Sequence, residues 1–364
     1  MRIDTKLAWK LTRIVELHDP YSAGLYVPGS TGMKILVNAA RASGVSEPVL
    51  IHLDDAYKSF EHLRKQHAGD RRTLDMLFAG LAEEEQDRRD IEQRKAAFHA
   101  NTSLWGVRAS MRLMSFVVHT STTNPDAIDV AHIAGLFGVS RTRPDVPWRV
   151  AQLQSEDSEG GPSSVRTSAP IDPATPRDGP PVLRAHSSDN VPELLALDQG
   201  GGRTEYRLGA GPIGKMSTFD LVFAEFMPEA GGRYRTEQDR QLSVSSRNRT
   251  PAEKLILELV IHRDVYGPID PIPELVSELW GNRSASLRDD PEMLPLCERI
   301  QQLGPGMSAF RHRHVPRHGE LMKRIFDSRG WDPEAFSTYR IDMAFPPAPT
   351  ALRMVIPLPE KPKA

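Results

Sequence analysis

The segment from Gln154 to Asn190 constrains this chain more than any other. It contains the run SEDSEGGPSSVRTSAPIDPATPRDGPP, rich in Ser, Pro, Gly and Asp and nearly devoid of large apolar residues. Such a stretch cannot bury enough surface to offset its ordering entropy, so it reads as a disordered tether. The expected architecture is therefore an N-terminal all-α helical domain over 1–150, a disordered linker over 151–190, and a C-terminal α+β domain over 191–360 ending in a β-hairpin. Hydrophobic residues make up 39% of the 364, which fits a chain in which part of the length is not core.

Helical spacing runs through the first part. Asp4 can cap a helix through Leu17, with Leu7, Leu11 and Ile14 on one face. Thr31 starts a second helix that Gly44 ends, because the residue past a helix C-terminus favours a left-handed conformation. Ser46 opens a third through Leu63, and Asp70 a fourth. The following run EEEQDRRDIEQRK pairs opposite charges at i,i+4 (Glu84–Arg88, Glu85–Arg89) and reads as a solvated helix over 83–95 that can present itself to a protein partner. A further helix is expected from Leu104 to His119.

In the second part, Thr250-Pro251-Ala252-Glu253 carries a capping-box pair with proline at the first helical position, predicting a helix to Gly267. Short helices are expected over 272–280 and from Asp290 to Gly304. Alternation at Tyr339, Ile341, Met343 and Phe345, resumed at Leu352, Met354 and Ile356, predicts two strands and a hairpin between them. Thr204, Tyr206 and Leu208 suggest another strand, as does Gln241 to Ser245.

Lys+Arg is 46 against 48 for Asp+Glu, so no global charge draws the chain to nucleic acid or an anionic membrane. The arginine-heavy basic set fits a GC-rich bacterial genome as well as any phosphate-binding role. The single cysteine, Cys297, excludes an internal disulfide and a cysteine-rich zinc site. No apolar run is long enough to span a bilayer, and the charged N-terminal segment lacks a signal-peptide core. The expectation is a soluble, cytoplasmic protein with no membrane contact, cofactor or metal.

One segment points to a class of partner. In NPDAIDVAHIAGLFGVSRTRPDVPW, Asn124 can cap a helix, Pro125 fits its first position, and Ile128, Ala131, Ala134 and Phe137 follow at helical spacing to a stop at Gly138. Ala134 and Gly138 match the alanine–glycine spacing of a helix-turn-helix. Ser140 could then cap a recognition helix bearing Arg141, Thr142 and Arg143 toward DNA. Pro144 breaks that pattern, since it removes an N–H the helix needs, so the motif is degenerate.

A second lead is AFRHRHVPRHGELMKR. Here Arg311, Arg313 and Arg317 interleave with His312, His314 and His318, a pattern that would repel a metal cation and suits an anion. Gly209 to Met216 imitates a phosphate-binding loop, but Met216 stands where a hydroxyl should bind magnesium and Pro212 removes an amide. No Ser/His/Asp order or carboxylate pair names a catalytic residue. The expected function is a regulatory or interaction protein touching DNA through the degenerate motif. One alternative is an enzyme or small anionic-ligand binder using the Arg311–His318 segment. The other is a structural interaction protein built on the charged helix.

Overall fold

The computed structural model describes residues 4–17, 19–81, 83–154, 168–200, 202–237, 239–278 and 292–362, excluding the side chains of 79, 80, 83–87, 153 and 154. The chain divides into two compact units, Met1–Gln93 and Arg94–Ala364.

The first unit holds α1 (Thr5–Glu16), α2 (Pro20–Gly24), α3 (Ser30–Ala42), α4 (Glu47–His67), α5 (Arg71–Leu81) and the start of α6 (Glu83–Trp105). Asp4 caps α1 by accepting from the Lys6 amide at 2.8 Å. Gly44, with φ of 83°, ends α3, and Ser46 opens α4. A small core of Leu25, Tyr26 and Phe78 is pinned by the Arg71 guanidinium, which donates to the carbonyls of Gly24, Leu25 and Val27. The charged run 83–95 lies on α6, where Arg88 pairs with Glu92 at 3.3 Å. The expected pairs involving Glu84 and Glu85 fall on side chains outside the described ones.

The helices do not make up an all-helical domain over 1–150, because strands dominate from residue 107 onward. Gly106, with φ of 70°, stops α6. The chain then enters β1 (Val107–Thr120) and β2 (Ala127–Arg141), followed by β3 (Trp148–Gln154) and β4 (Ala169–Pro170). Next come β5 (Leu194–Asp198), β6 (Arg203–Leu208), β7 (Phe219–Gly232), β8 (Gln241–Asn248), β9 (Ala252–His262) and the short α7 (Arg263–Tyr266). The last elements are β10 (Ile272–Ser277), β11 (Met293–Leu294), β12 (Gln301–Pro305), α8 (His318–Arg329), β13 (Phe336–Ala344) and β14 (Thr350–Pro357).

A seven-stranded sheet in the order β12-β13-β9-β1-β2-β7-β4 forms the centre. It is antiparallel except for β1 and β9, which run parallel. One face carries α8, whose Leu321, Met322, Ile325 and Phe326 are fully buried against Met111, Leu113 and Val117 of β1. Burial at about 1.5–3 kcal/mol per such side chain makes this helix the main clamp on that face. On the other face the four-stranded sheet β11-β10-β14-β8 packs Leu275, Leu352 and Met354 against Met114 and Val118. The three-stranded sheet β3-β6-β5 packs Leu208 and Trp148 against Leu136, Leu221 and Phe223, also on that face.

Several expected helices are strands, for one physical reason. An interior strand buried on both faces reads as a continuous apolar run, which periodicity alone cannot tell from a buried helix. β2 lies between β1 and β7 and is buried along nearly its whole length. Asn124 does cap, but it caps a turn: its Oδ1 accepts from the Asp126 amide at 3.1 Å and its carbonyl from Ala127. Gly138, with φ of 62°, sits at a β-bulge rather than a helix stop, its amide donating to Asp220 Oδ1 at 2.7 Å. The same correction applies to the helices expected over 104–119, 250–267 and 272–280, where the chain instead forms β1 after the end of α6, β9 followed by the short α7, and β10, with 279 and 280 outside the described residues.

The linker expectation is also overturned where it can be judged. Residues 155–167 lie outside the described ones, but 168–190 is packed chain. Ala169 and Pro170 pair with β7, the Ile171 amide donates to Ala224, and Leu183 is fully buried with its amide on Val222. A few well-placed apolar residues secure a stretch whose average composition is disorder-like. The C-terminal hairpin is corrected too. β13 and β14 are strands, but β13 joins the large sheet beside β9 while β14 joins the four-stranded sheet between β10 and β8. Phe345, with φ of 49°, turns the chain from one sheet toward the other.

Candidate functional site

Ser140 and Arg141 end β2 and Thr142 and Arg143 lie in the bend that follows, so no recognition helix forms between Ser140 and Pro144. Arg141 is buried, and its Nη1 donates to the Gly209 carbonyl at 2.6 Å and to that of Pro144 at 3.4 Å. Burial lowers its pKa. Its own carbonyl accepts from the Gly214 amide, so Arg141 fastens the glycine-rich 209–214 connection. Ser140 accepts from Arg108 at 3.3 Å, the Thr142 amide donates to the Gly106 carbonyl, and exposed Arg143 packs its stem over Gly106.

The six residues from Arg311 to His318 do not converge on one space. Arg311 is exposed. His312 Nε2 lies 3.2 Å from Asp342 Oδ2, and Lys254 donates to the same carboxylate at 3.0 Å. Burial works against ionising Asp342, but these two partners overcome it and bring its pKa down to about 2. Arg313 donates to His314 at 2.9 Å, and burial followed by the charge of Lys254 lowers the His314 pKa. Arg317 pairs with Glu320 and donates to the Ala185 carbonyl.

His318 opens α8 and is buried at 3.3 Å from Glu258 Oε2. Glu258, on β9, also accepts from Arg340 at 2.8 Å and from Ser115 at 2.5 Å. Burial alone would raise its pKa; His318, Arg340 and Ser115 reverse that and hold it at about 2. This network stitches β1, β9, β13 and α8 together inside the core.

The site the fold does build lies between the two small sheets. Both rest on the same face of the large sheet, and between them is a cleft of about 840 Å³. Its floor is a block of cross-strand neighbours: Arg112, Met114 and Phe116 on β1, His132 and Ala134 on β2, and Phe223 and Glu225 on β7. The register explains the block, because Met114 stands opposite Ala134 and Phe116 opposite His132, while Ala134 and His132 stand opposite Phe223 and Glu225. One wall is β8 with the residues just after it, supplying Ser245, Arg247 and Arg249. The other is β3, supplying residues 149–152.

Charge is segregated along this cleft. Arg112, Arg149, Arg247 and Arg249 gather at one end. Arg247 and Arg249 share Glu278, at 3.2 and 3.7 Å. Arg149 shares Glu205 with Arg207, and those two hydrogen bonds hold Glu205 below its ordinary pKa although burial works the other way. Arg112 donates Nε to Ser246 Oγ at 2.9 Å, and among the described residues no carboxylate lies within ion-pair distance of it. Burial and the nearby Arg249 bring its pKa down to about 10, partly opposed by Glu278. Burial and Arg149 likewise lower that of Arg249. At the far end, Glu225 binds His132 Nδ1 at 3.3 Å and Ser168 Oγ at 2.8 Å, and the His132 ring stacks on Phe116.

Sequence reasoning missed this site because its arginines come from three separate parts of the chain. The signal available was Arg112, a cation inside the apolar run Met111–Met114 of an interior strand. No protein-family model matches the chain, and neither does any curated protein. Among the described residues, no group of three or more His, Cys, Asp or Glu side chains could hold a metal ion, and no helix is long and apolar enough to cross a membrane.

Proposed function

We propose that this protein binds a small organic anion in the cleft between its two minor sheets. The observation that carries this reading is Arg112, a half-buried guanidinium with no carboxylate partner among the described residues, one of four arginines lining the cleft. A buried cation is costly unless paired, and here the arginines disfavour one another's charge. A carboxylate or phosphate entering the cleft would supply the missing counter-charge. The planar guanidinium fork suits both groups. Met114, Phe116, Phe223 and Met227 offer apolar surface for the rest of the molecule, and the volume falls within the range of small-molecule sites. Anion binding is the class also suggested by the Arg311–His318 segment, but the residues that support it are different ones.

Calorimetric titration of the full chain with inorganic phosphate and with benzoate tests the reading. Saturable binding that weakens with added salt and falls about tenfold or more in Arg112→Met is expected, since a hydrogen bond to a charged partner contributes about 1.5–3 kcal/mol. Absence of binding to either anion, or binding unchanged in the variant, would overturn it.

A further inference from the structure

We infer that the cleft takes a phosphate monoester bearing one uncharged apolar ring, its phosphate among Arg112, Arg149 and Arg249 and its ring over Met114, Ala134 and Phe223. This rests on the anion-binding reading and narrows it to a ligand class through three observations. The first is the set of directions from which the cations come. Arg112 belongs to the floor, Arg249 follows β8 on one wall, and Arg149 lies on β3 at the other. After burial, the largest influence lowering the Arg112 pKa is Arg249, and the largest lowering the Arg249 pKa is Arg149. The charges of the floor and both walls are therefore within electrostatic reach of one another. A carboxylate presents two oxygens in one plane. A phosphate monoester presents three acceptor oxygens about a tetrahedral centre, one for each side.

The second observation is the balance of charge. Glu205 is shared by Arg149 and Arg207, and Glu278 by Arg247 and Arg249. Arg112 has no carboxylate within ion-pair distance among the described residues. A single negative charge would answer Arg112 and leave each shared carboxylate facing two guanidinium groups. A phosphate monoester carries a charge of about −1.5 to −2 at neutral pH and serves the walls as well.

The third is the floor beyond the arginines. Met114, Ala134 and Phe223 form one cross-strand row. Ala134 is its small member and leaves a trough between two large apolar side chains whose Cα positions are about 10 Å apart, two strand spacings. The next row is Phe116, His132 and Glu225, with Glu229 beyond it. Successive rows on one face are about 7 Å apart, so the apolar row is about one ring long before the carboxylates begin. Those carboxylates repel a second anionic group, which makes the body of the ligand short and uncharged.

The test is a calorimetric series on the full chain with phenyl phosphate, phenyl sulfate, methyl phosphate, benzoate and inorganic phosphate. Phenyl phosphate should bind tightest, about tenfold or more above methyl and inorganic phosphate, as burial of an aromatic ring predicts. Phenyl sulfate has the same shape and a single charge, and should bind about tenfold more weakly than phenyl phosphate. Arg149→Gln changes a side chain that is 36% exposed, so the core packing stays as it is. It should weaken phenyl phosphate about tenfold and benzoate by less, since a planar carboxylate leaves that wall unused. Phenyl phosphate binding no tighter than inorganic phosphate, or no tighter than phenyl sulfate, would overturn this inference and leave anion binding standing. So would benzoate as the tightest ligand, or an equal loss for benzoate and phenyl phosphate in the variant. Binding of none of these anions would remove both readings.

Discussion

Replacing Glu258 by glutamine should cost this protein about 3–5 kcal/mol, because it leaves the Arg340 guanidinium, 5% exposed, beside a neutral amide. The fall in the Glu258 pKa from 4.5 to about 2 gives an independent figure on the order of 3 kcal/mol. The pH sign follows from that direction. A depressed carboxylate pKa contributes stability that is fully present above pH 4.5 and lost as the pH falls toward 2. Urea unfolding of the wild type and E258Q at pH 7 should show midpoints about 1 M or more apart, and the gap should shrink as the pH is lowered. The double variant E258M/R340M removes both charges together and should recover most of the loss, since an apolar pair of similar volume is often as stable as a buried ion pair. The reasoning is refuted if E258Q unfolds within about 1 kcal/mol of the wild type, or if the double variant is no more stable than the single one.

Other outcomes follow from individual contacts. Lys254→Met removes one partner of Asp342, so its pKa should rise from about 2 toward the ordinary carboxylate range, as followed by NMR titration of the side-chain carboxyl. Gly138→Ala places a Cβ 2.6 Å from Ser110 Oγ at a φ of 62°, and a loss of about 1–3 kcal/mol should appear as a lower melting temperature. Asp4→Ala removes the cap of α1 and should cost about 1 kcal/mol, read as faster amide exchange in its first turn.

What was legible in the sequence depended on whether local signals acted alone. In the first unit, Asp4, Gly44 and Ser46 fix helix ends through contacts within a few residues, and the spacing locates them. From Val107 onward the local signals point the wrong way. Thr250-Pro251-Ala252-Glu253 has every mark of a helix start, yet the Pro251 carbonyl accepts from the Ala109 amide and Ala252 begins β9. Its neighbour on β1 lies far away in the chain, and no window of residues contains both. Leu183 hides the same way, one buried side chain in a segment whose average says disorder. The cleft is the extreme case. Arg112, Arg149, Arg247 and Arg249 come from separate parts of the chain, and only the packing of the two small sheets on β1, β2 and β7 brings them together.

The parallel pairing of β1 with β9 also bears on how the chain is made. Ala109 waits for Ala252, about 140 residues later. At typical synthesis rates of about 5–20 residues per second, the β1–β2 hairpin is complete about 6–24 s before β9 is. During that interval a ribbon apolar on both faces has an open edge at β1. Long-range pairing of this kind slows folding and exposes the chain to misassembly. The residues that make the finished sheet hardest to open are therefore the ones that leave the nascent chain most dependent on protection.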